Sequence, residues 1–254
     1  MLNAMCTGEC LLGLPLAFVP SIIWLVFFAF QKKHREKFRN LMEIFAWGIL
    51  IAIPVALVEG MADFTLSEYY AASAALFAAF SFIGVAFVEE FGKYAVVRFK
   101  AMKRYFFDEP QDAVIYMVAA ALGFAGIENM FYAHRFAENF PELFSTIAFR
   151  GISATFLHVA ASGTVGYFIA LSMEHKKEGK KFLFTGLALA TLLHGIYNSF
   201  IMDIVKQVEQ GEGTGSSLNL FLLSSLLIIS GIVVIVSLNK LASSKFSVSN
   251  KEDV

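Results

Sequence analysis

Apolar residues gather into seven runs along the chain, at about 11–30, 41–60, 70–97, 113–133, 144–171, 182–202 and 218–238. Each is close to or longer than the roughly 20 residues an α-helix needs to cross a hydrocarbon core. The connections are short and polar, and basic residues occupy every second one. Lys32, Lys33, Arg35, Lys37 and Arg39 follow the first run; Arg98, Lys100, Lys103 and Arg104 follow the third. Lys176, Lys177, Lys180 and Lys181 follow the fifth, and Lys240, Lys245 and Lys251 follow the seventh. The alternate set, formed by the N-terminal segment and the loops near 61–69, 134–143 and 203–217, holds only Arg135 and Lys206. Since Lys and Arg stay on the cytoplasmic side, the pattern predicts an all-α polytopic membrane helix bundle of about seven transmembrane helices, with the N-terminus outside and the C-terminus cytoplasmic.

Composition narrows the picture further. Of 254 residues, 57% are hydrophobic and 16% charged, against about 45–50% and 25% in soluble domains. The spans leave no room for a separate soluble domain, so residues 1–254 are read as a single integral membrane domain of the cell membrane. The net charge of −1 by itself says nothing about partners; once the basic residues are placed in the connections that set topology, the lipid bilayer is the expected partner and no nucleic acid is expected. The start of the chain lacks the basic n-region of a cleavable signal peptide, and its first apolar run is read as a retained helix. Cys6 and Cys10 form a C-x-x-x-C pair, too local for a disulfide framework or a metal site of usual spacing, and are read as incidental. Gly211 to Ser217 reads as a flexible outer loop, and no internal repeat suggests an inverted-repeat transporter.

Against this apolar background the buried charges stand out. Glu89, Glu90, Lys93, Glu128 and Arg150 fall inside apolar runs, whereas Glu43 and Glu59 lie near span ends and can reach the interface. A charge at the bilayer centre costs about 2.5–3.5 kcal/mol on insertion scales, so the five deep ones oppose insertion by roughly 12 kcal/mol or more. His158 and His194 join them. Counted from the cytoplasmic helix ends at about 1.5 Å per residue, Glu89, His194, His158 and Glu128 all fall roughly 13 to 23 Å into a core about 30 Å thick. Four helices deliver polar groups to one slab, as a shared site requires. Glu89 and Lys93 are i,i+4 neighbours, with Glu90 turned about 100° away; His194 and Asn198 are another i,i+4 pair. Thr155, His158 and Ser162 form a polar stripe, with Arg150 two turns earlier on much the same side. Gly123, Gly126, Gly163 and Gly166 allow close helix approach.

Two imidazoles and several carboxylates are ligands for a zinc-like divalent cation, and a glutamate outside the ligand set can serve as base toward water. No H-E-x-x-H or G-x-S-x-G occurs, and neither cysteine reaches the slab. The same buried acids and histidines would also serve a proton- or ion-coupled transporter or channel as a relay. A retinal-binding receptor would need a Schiff-base lysine, which span seven lacks before Lys240. Taken singly, Glu89 with Lys93 is as readily a structural ion pair, and His158 an interhelical hydrogen-bonder. His34, His134 and His175 lie in loops or at a helix end and read as solvated; the 28 phenylalanines read as packing and lipid-facing surface.

The segment F-V-E-E-F-G-K at Phe87 to Lys93 resembles the E-E-x-x-K motif of the PrsW intramembrane protease family. G-F-A-G-I-E-N at Gly123 to Asn129, Arg150 followed by His158 and Gly163, and H-G-I-Y-N at His194 to Asn198 match in the same order. That family is similar to the CAAX prenyl protease superfamily, which commonly has a histidine where Glu128 stands. The motif-bearing core covers about 70–202. The resemblance implies hydrolysis of a single-pass membrane protein, such as site-1 cleavage of an anti-sigma factor in a stress response. It makes Glu89 and Glu90 the essential glutamate pair and His158 and His194 the essential histidines, and it leaves open whether a metal or a glutamate alone activates the water. The expected arrangement is a divalent metal ion, zinc by its ligands, held by Glu128, His158 and His194. Glu89 then activates water, Asn198 polarises the scissile carbonyl, and Lys93, Asn129 and Arg150 support the carboxylates.

Overall fold

A computed structural model describes residues 15–30, 38–71, 73, 76, 79–134, 140–209 and 217–242. Cys6, Cys10, His34 and most of the Gly211 to Ser217 loop lie outside the described residues. Helix α1 (Val19–Ala29) precedes α2 (Phe38–Ala71); a π-helical segment, Phe80–Phe87, then runs without a break into α3 (Val88–Lys100). Next come α4 (Pro110–His134), α5 (Phe140–Ile152), α6 (Ala154–Glu174), a 3-10 turn at Lys176–Glu178, α7 (Gly179–Glu209) and α8 (Ser217–Ala242). No strand occurs among the described residues. Phe38–Leu66, Pro110–His134, Phe140–Glu174, Lys176–Met202 and Asn219–Leu241 are long and apolar enough to cross a membrane. The protein is therefore a polytopic membrane helix bundle, as the hydropathy pattern predicts.

Helix α4 is the axle of the bundle. Every residue from Pro110 to Ile127 is buried, and α4 packs against α6, α2, α1, α3, α5 and α8. The run V-A-A-A-L-G-F-A-G makes this possible, because small side chains let neighbouring backbones approach closely. At Gly48 of α2 and Gly123 of α4, an added Cβ would strike the carbonyls of Ala120 and Phe45 respectively. Backbone cannot step aside as a side chain can, so Gly123→Val should cost more than the roughly 1–3 kcal/mol of ordinary overpacking. Thermal unfolding in detergent should show a clear loss for Gly123→Val and none for Gly60→Ala, since a Cβ at Gly60 meets nothing within 4 Å.

Three segments depart from the sequence reading. The expected outer loop at 61–69 is helix: α2 runs for 34 residues, about 51 Å at 1.5 Å each and longer than the core is thick. Nothing from Met61 to Ala71 breaks a helix, and a helix emerging from the bilayer has water for its backbone. For the same reason α7 continues to Glu209, into the expected loop at 203–217. The span read as 144–171 is two helices meeting at Ser153, whose φ/ψ of −103/−74 and hydroxyl bond to the Phe149 carbonyl at 2.8 Å mark the junction. Arg150 thus closes α5 and does not share a helix with His158.

Candidate active site

Residues 88–100 would form a poor helix in isolation at this depth, with Glu89, Glu90 and Lys93 within four residues of one another. All three are buried, and tertiary partners supply what the bilayer cannot. The Lys93 ammonium donates to Glu89 Oε2 at 3.0 Å and to Glu90 Oε1 at 2.8 Å, so one lysine serves both carboxylates. It also lies 2.7 Å from Nδ1 of His158 on α6 and 4.3 Å from the centre of the Phe124 ring.

The tautomers of both histidines follow from these partners. Lysine can only donate, so His158 Nδ1 accepts, and its Nε2–H donates to Glu128 Oε2 at 2.6 Å. His194 Nδ1 lies 3.0 Å from Glu90 Oε1; a carboxylate accepts, so Nδ1 carries the proton and Nε2 the lone pair. The two rings stand edge to face with centroids 5.0 Å apart. Glu89 Oε2 is 3.8 Å from His158 Nδ1 and 3.9 Å from His194 Nε2. His194 Nε2, His158 Nδ1 and Glu89 Oε2 therefore face one another, the latter two each accepting from the Lys93 ammonium. Donor atoms of Glu89, His158 and His194 all fall within 4.8 Å.

Behind this centre lies a set of supports. Ser162 Oγ donates to Glu90 Oε2 at 2.8 Å, so Glu90 is held by α3, α6 and α7 together. Arg150 lies 2.9 Å from Glu128 Oε1 and its Nε donates to Asn129 Oδ1 at 2.8 Å, while its guanidinium covers the Tyr132 ring at 3.8 Å. Asn129 Nδ2 donates in turn to Thr155 Oγ1 at 2.9 Å. Tyr197 anchors the α5–α6 junction through its hydroxyl, 3.0 Å from Ser153 Oγ.

A cavity of about 540 Å³ opens onto this centre. Glu89, Glu128, Arg150, His158, His194 and Asn198 line it; Glu90, Lys93 and Asn129 do not. Its wall also includes Gly60 and Asp63, Phe131 and Tyr132, and Ile201 and Met202. These residues lie on α2, α4 and α7 towards the ends remote from the basic connections after α3 and α6. By the distribution of Lys and Arg, the cavity leads to the outer face.

Three residues expected from the sequence are placed as follows. Glu128, expected as a metal ligand with His158 and His194, lies 2.9 Å from Arg150 and 2.6 Å from His158 Nε2, while the donor atoms within 4.8 Å of one another are those of Glu89, His158 and His194. Glu90, expected to take part in the chemistry, sits behind His194 and out of the cavity. Glu59, expected at the interface, lines the cavity. Sequence reasoning also passed over Tyr197 and Ser153, for which no spacing signal existed. By type, two imidazoles and one carboxylate are a usual set for a three-ligand zinc site, but the Lys93 ammonium already donates to Glu89 Oε2 and to His158 Nδ1 at 3.0 and 2.7 Å, so a bound ion would have to displace it from these two atoms.

Comparison with known proteins fits this arrangement. The profile of the PrsW family intramembrane metalloproteases matches residues 36–238. The chain is 30% identical over 194 residues to Protease PrsW of Clostridioides difficile (strain 630), covering 74% of this chain and 78% of the relative. It is 27% identical over 184 residues to Protease PrsW of Geobacillus kaustophilus (strain HTA426), covering 72% and 76%. Against Protease PrsW of Bacillus subtilis (strain 168) the identity is 23% over 183 residues, covering 70% and 78%. No solved structure matches the chain.

Proposed function

The chain belongs to the PrsW family of intramembrane metalloproteases, and from that premise we propose that it cleaves a single-pass membrane protein at a centre formed by Glu89, His158 and His194. The observation that carries this reading is the convergence of Glu89 Oε2 with the lone-pair nitrogens of both imidazoles at 3.8 and 3.9 Å, at a cavity wall within the bundle. A solitary structural ion pair would not need two histidines with opposite tautomers turned toward it.

Glu89 accepts the proton of the attacking water and returns it to the leaving amine, so that water adds across the peptide bond with no net proton change. Asn198, one turn beyond His194 and on the cavity wall, donates its amide N–H to the carbonyl oxygen as negative charge develops there. Glu90 and Ser162 hold the ring of His194; Glu128 and Arg150 hold that of His158. Glu89 through Oε2, His158 and His194 are also the residues that would hold a divalent cation, zinc by the nature of the donors, and Glu89 Oε1 would then be the oxygen that takes the proton. Such an ion supplies Lewis-acid polarisation of the carbonyl and a more acidic water.

An opening on the outer face supports cleavage in the outer half of the substrate span, releasing its extracytoplasmic portion. The anti-sigma factor implied by the motif resemblance is the first substrate to test. Co-expressed with this protein, such a single-pass protein should shed its outer portion. Asn198→Ala should slow shedding by roughly 10²- to 10³-fold, the effect of losing one oxyanion donor. A cut mapped by mass spectrometry to the cytoplasmic half of the span would contradict the proposal.

A further inference from the structure

We propose that Glu59 determines specificity, forming with the outer part of the cavity a subsite for a lysine or arginine side chain of the substrate. This deepens the hydrolytic reading and rests on it. Glu59 lies on α2, which contributes none of the residues of the reacting centre, yet its side chain lines the same cavity as Glu89, His158 and His194. One of its carboxylate oxygens, Oε1, is shut off from solvent and has no hydrogen-bond partner. A buried acceptor without a donor is an unfavourable arrangement that proteins seldom keep without use. Turned into the cavity that the side chain lines, this oxygen would meet a donor that arrives with the substrate.

The charge of the cavity indicates what kind of donor. Its lining includes the carboxylates of Glu59, Asp63, Glu89 and Glu128 and the guanidinium of Arg150. Arg150 is turned to Glu128 and Asn129, at 2.9 and 2.8 Å. Glu89 is likewise engaged by Lys93 at 3.0 Å, so acids still outnumber cations around the cavity by four to two, an excess that favours a cationic donor over a hydroxyl or an amide. Lysine and arginine also have apolar stems that can lie along Ala52 and Ala56, the neighbouring α2 residues in the lining.

Direction follows from the helix. Helix α2 runs from the cytoplasmic side outward, and Glu59 is toward its outer end, so the basic residue belongs on the outer side of the scissile bond. Single-span proteins rarely carry Lys or Arg just outside the membrane, because orientation during insertion selects against it. A carboxylate that reads such a residue would pick out few proteins among the many that share the bilayer.

The test uses the full-length protein reconstituted in vesicles and a series of synthetic single-span peptides, alike except for Ala or Lys stepped through the residues outside the cleaved bond. At one position or two adjacent ones the Lys peptide should be cleaved with kcat/KM roughly tenfold or more above its Ala counterpart, as for a close charge pair at an interface. Glu59→Gln should bring that ratio close to one, and Glu59→Lys should reverse it in favour of a peptide carrying Glu there. The inference is overturned if the ratio is near one at every position, if Glu59→Gln leaves it unchanged, or if both variants lose cleavage of every peptide. A protein that cleaves no peptide in the series would sink the hydrolytic reading itself, and the subsite with it.

Discussion

Glu89→Gln should lower the rate of peptide cleavage by about three orders of magnitude, within the range for loss of a general base, while the unfolding temperature moves by only a few degrees. Glutamine keeps the shape of the side chain and an oxygen that can accept from Lys93, now 3.0 Å from Oε2. It cannot take a proton from water. Glu90→Gln should behave differently, because Glu90 lies outside the cavity and is wholly buried among Lys93, Ser162 and His194. Its loss should reduce stability and activity together, the latter through a loosened His194. Single-turnover cleavage and thermal unfolding in the same detergent separate the two patterns. Cleavage by Glu89→Gln within tenfold of the unsubstituted rate would remove Glu89 from the chemistry.

Lys93→Met should be the most damaging change to the fold among the site residues. The ammonium is fully buried and is shared by Glu89, Glu90 and His158 Nδ1 at 3.0, 2.8 and 2.7 Å. Removing one partner of a buried ion pair costs about 3–5 kcal/mol, which corresponds to a fall in unfolding temperature of roughly 10 °C for a chain of this size. The cost arises from two carboxylates left facing each other, so Lys93→Met combined with Glu90→Gln should recover part of it. If Lys93→Met unfolds at the same temperature as the unsubstituted protein, the carboxylates are not held by that lysine.

Counting residues from the basic connections brings Glu89, Glu128, His158 and His194 into one slab, because rise per residue and core thickness are fixed quantities. Rotation of one helix about its axis relative to another is not fixed by either. Glu128 has no basic neighbour within its own turn, and its partner Arg150 arrives from α5, across a junction at Ser153 that no hydropathy run marks. The i,i+4 rule pairs Glu89 with Lys93 yet misses that Lys93 also reaches Glu90, and it is silent on which glutamate faces the cavity. Glu59 reads as interfacial because its distance along α2 is measured from the cytoplasmic end; the cavity that it lines exists only once α2, α4 and α7 are placed together. The continuation of α2 to Ala71 is equally invisible to hydropathy, since leaving the bilayer ends the apolar run without ending the helix.

The claim that Glu89, His158 and His194 together hydrolyse a peptide bond within the membrane is tested most directly by cleavage of a single-span protein in vesicles made with ¹⁸O-labelled water. Mass spectrometry should find one ¹⁸O in the new C-terminal carboxyl, at a bond in the outer half of the span, with product from Glu89→Gln or His194→Ala slower by about two orders of magnitude or more. Labelled product formed by both variants at the rate of the unsubstituted protein would contradict the account.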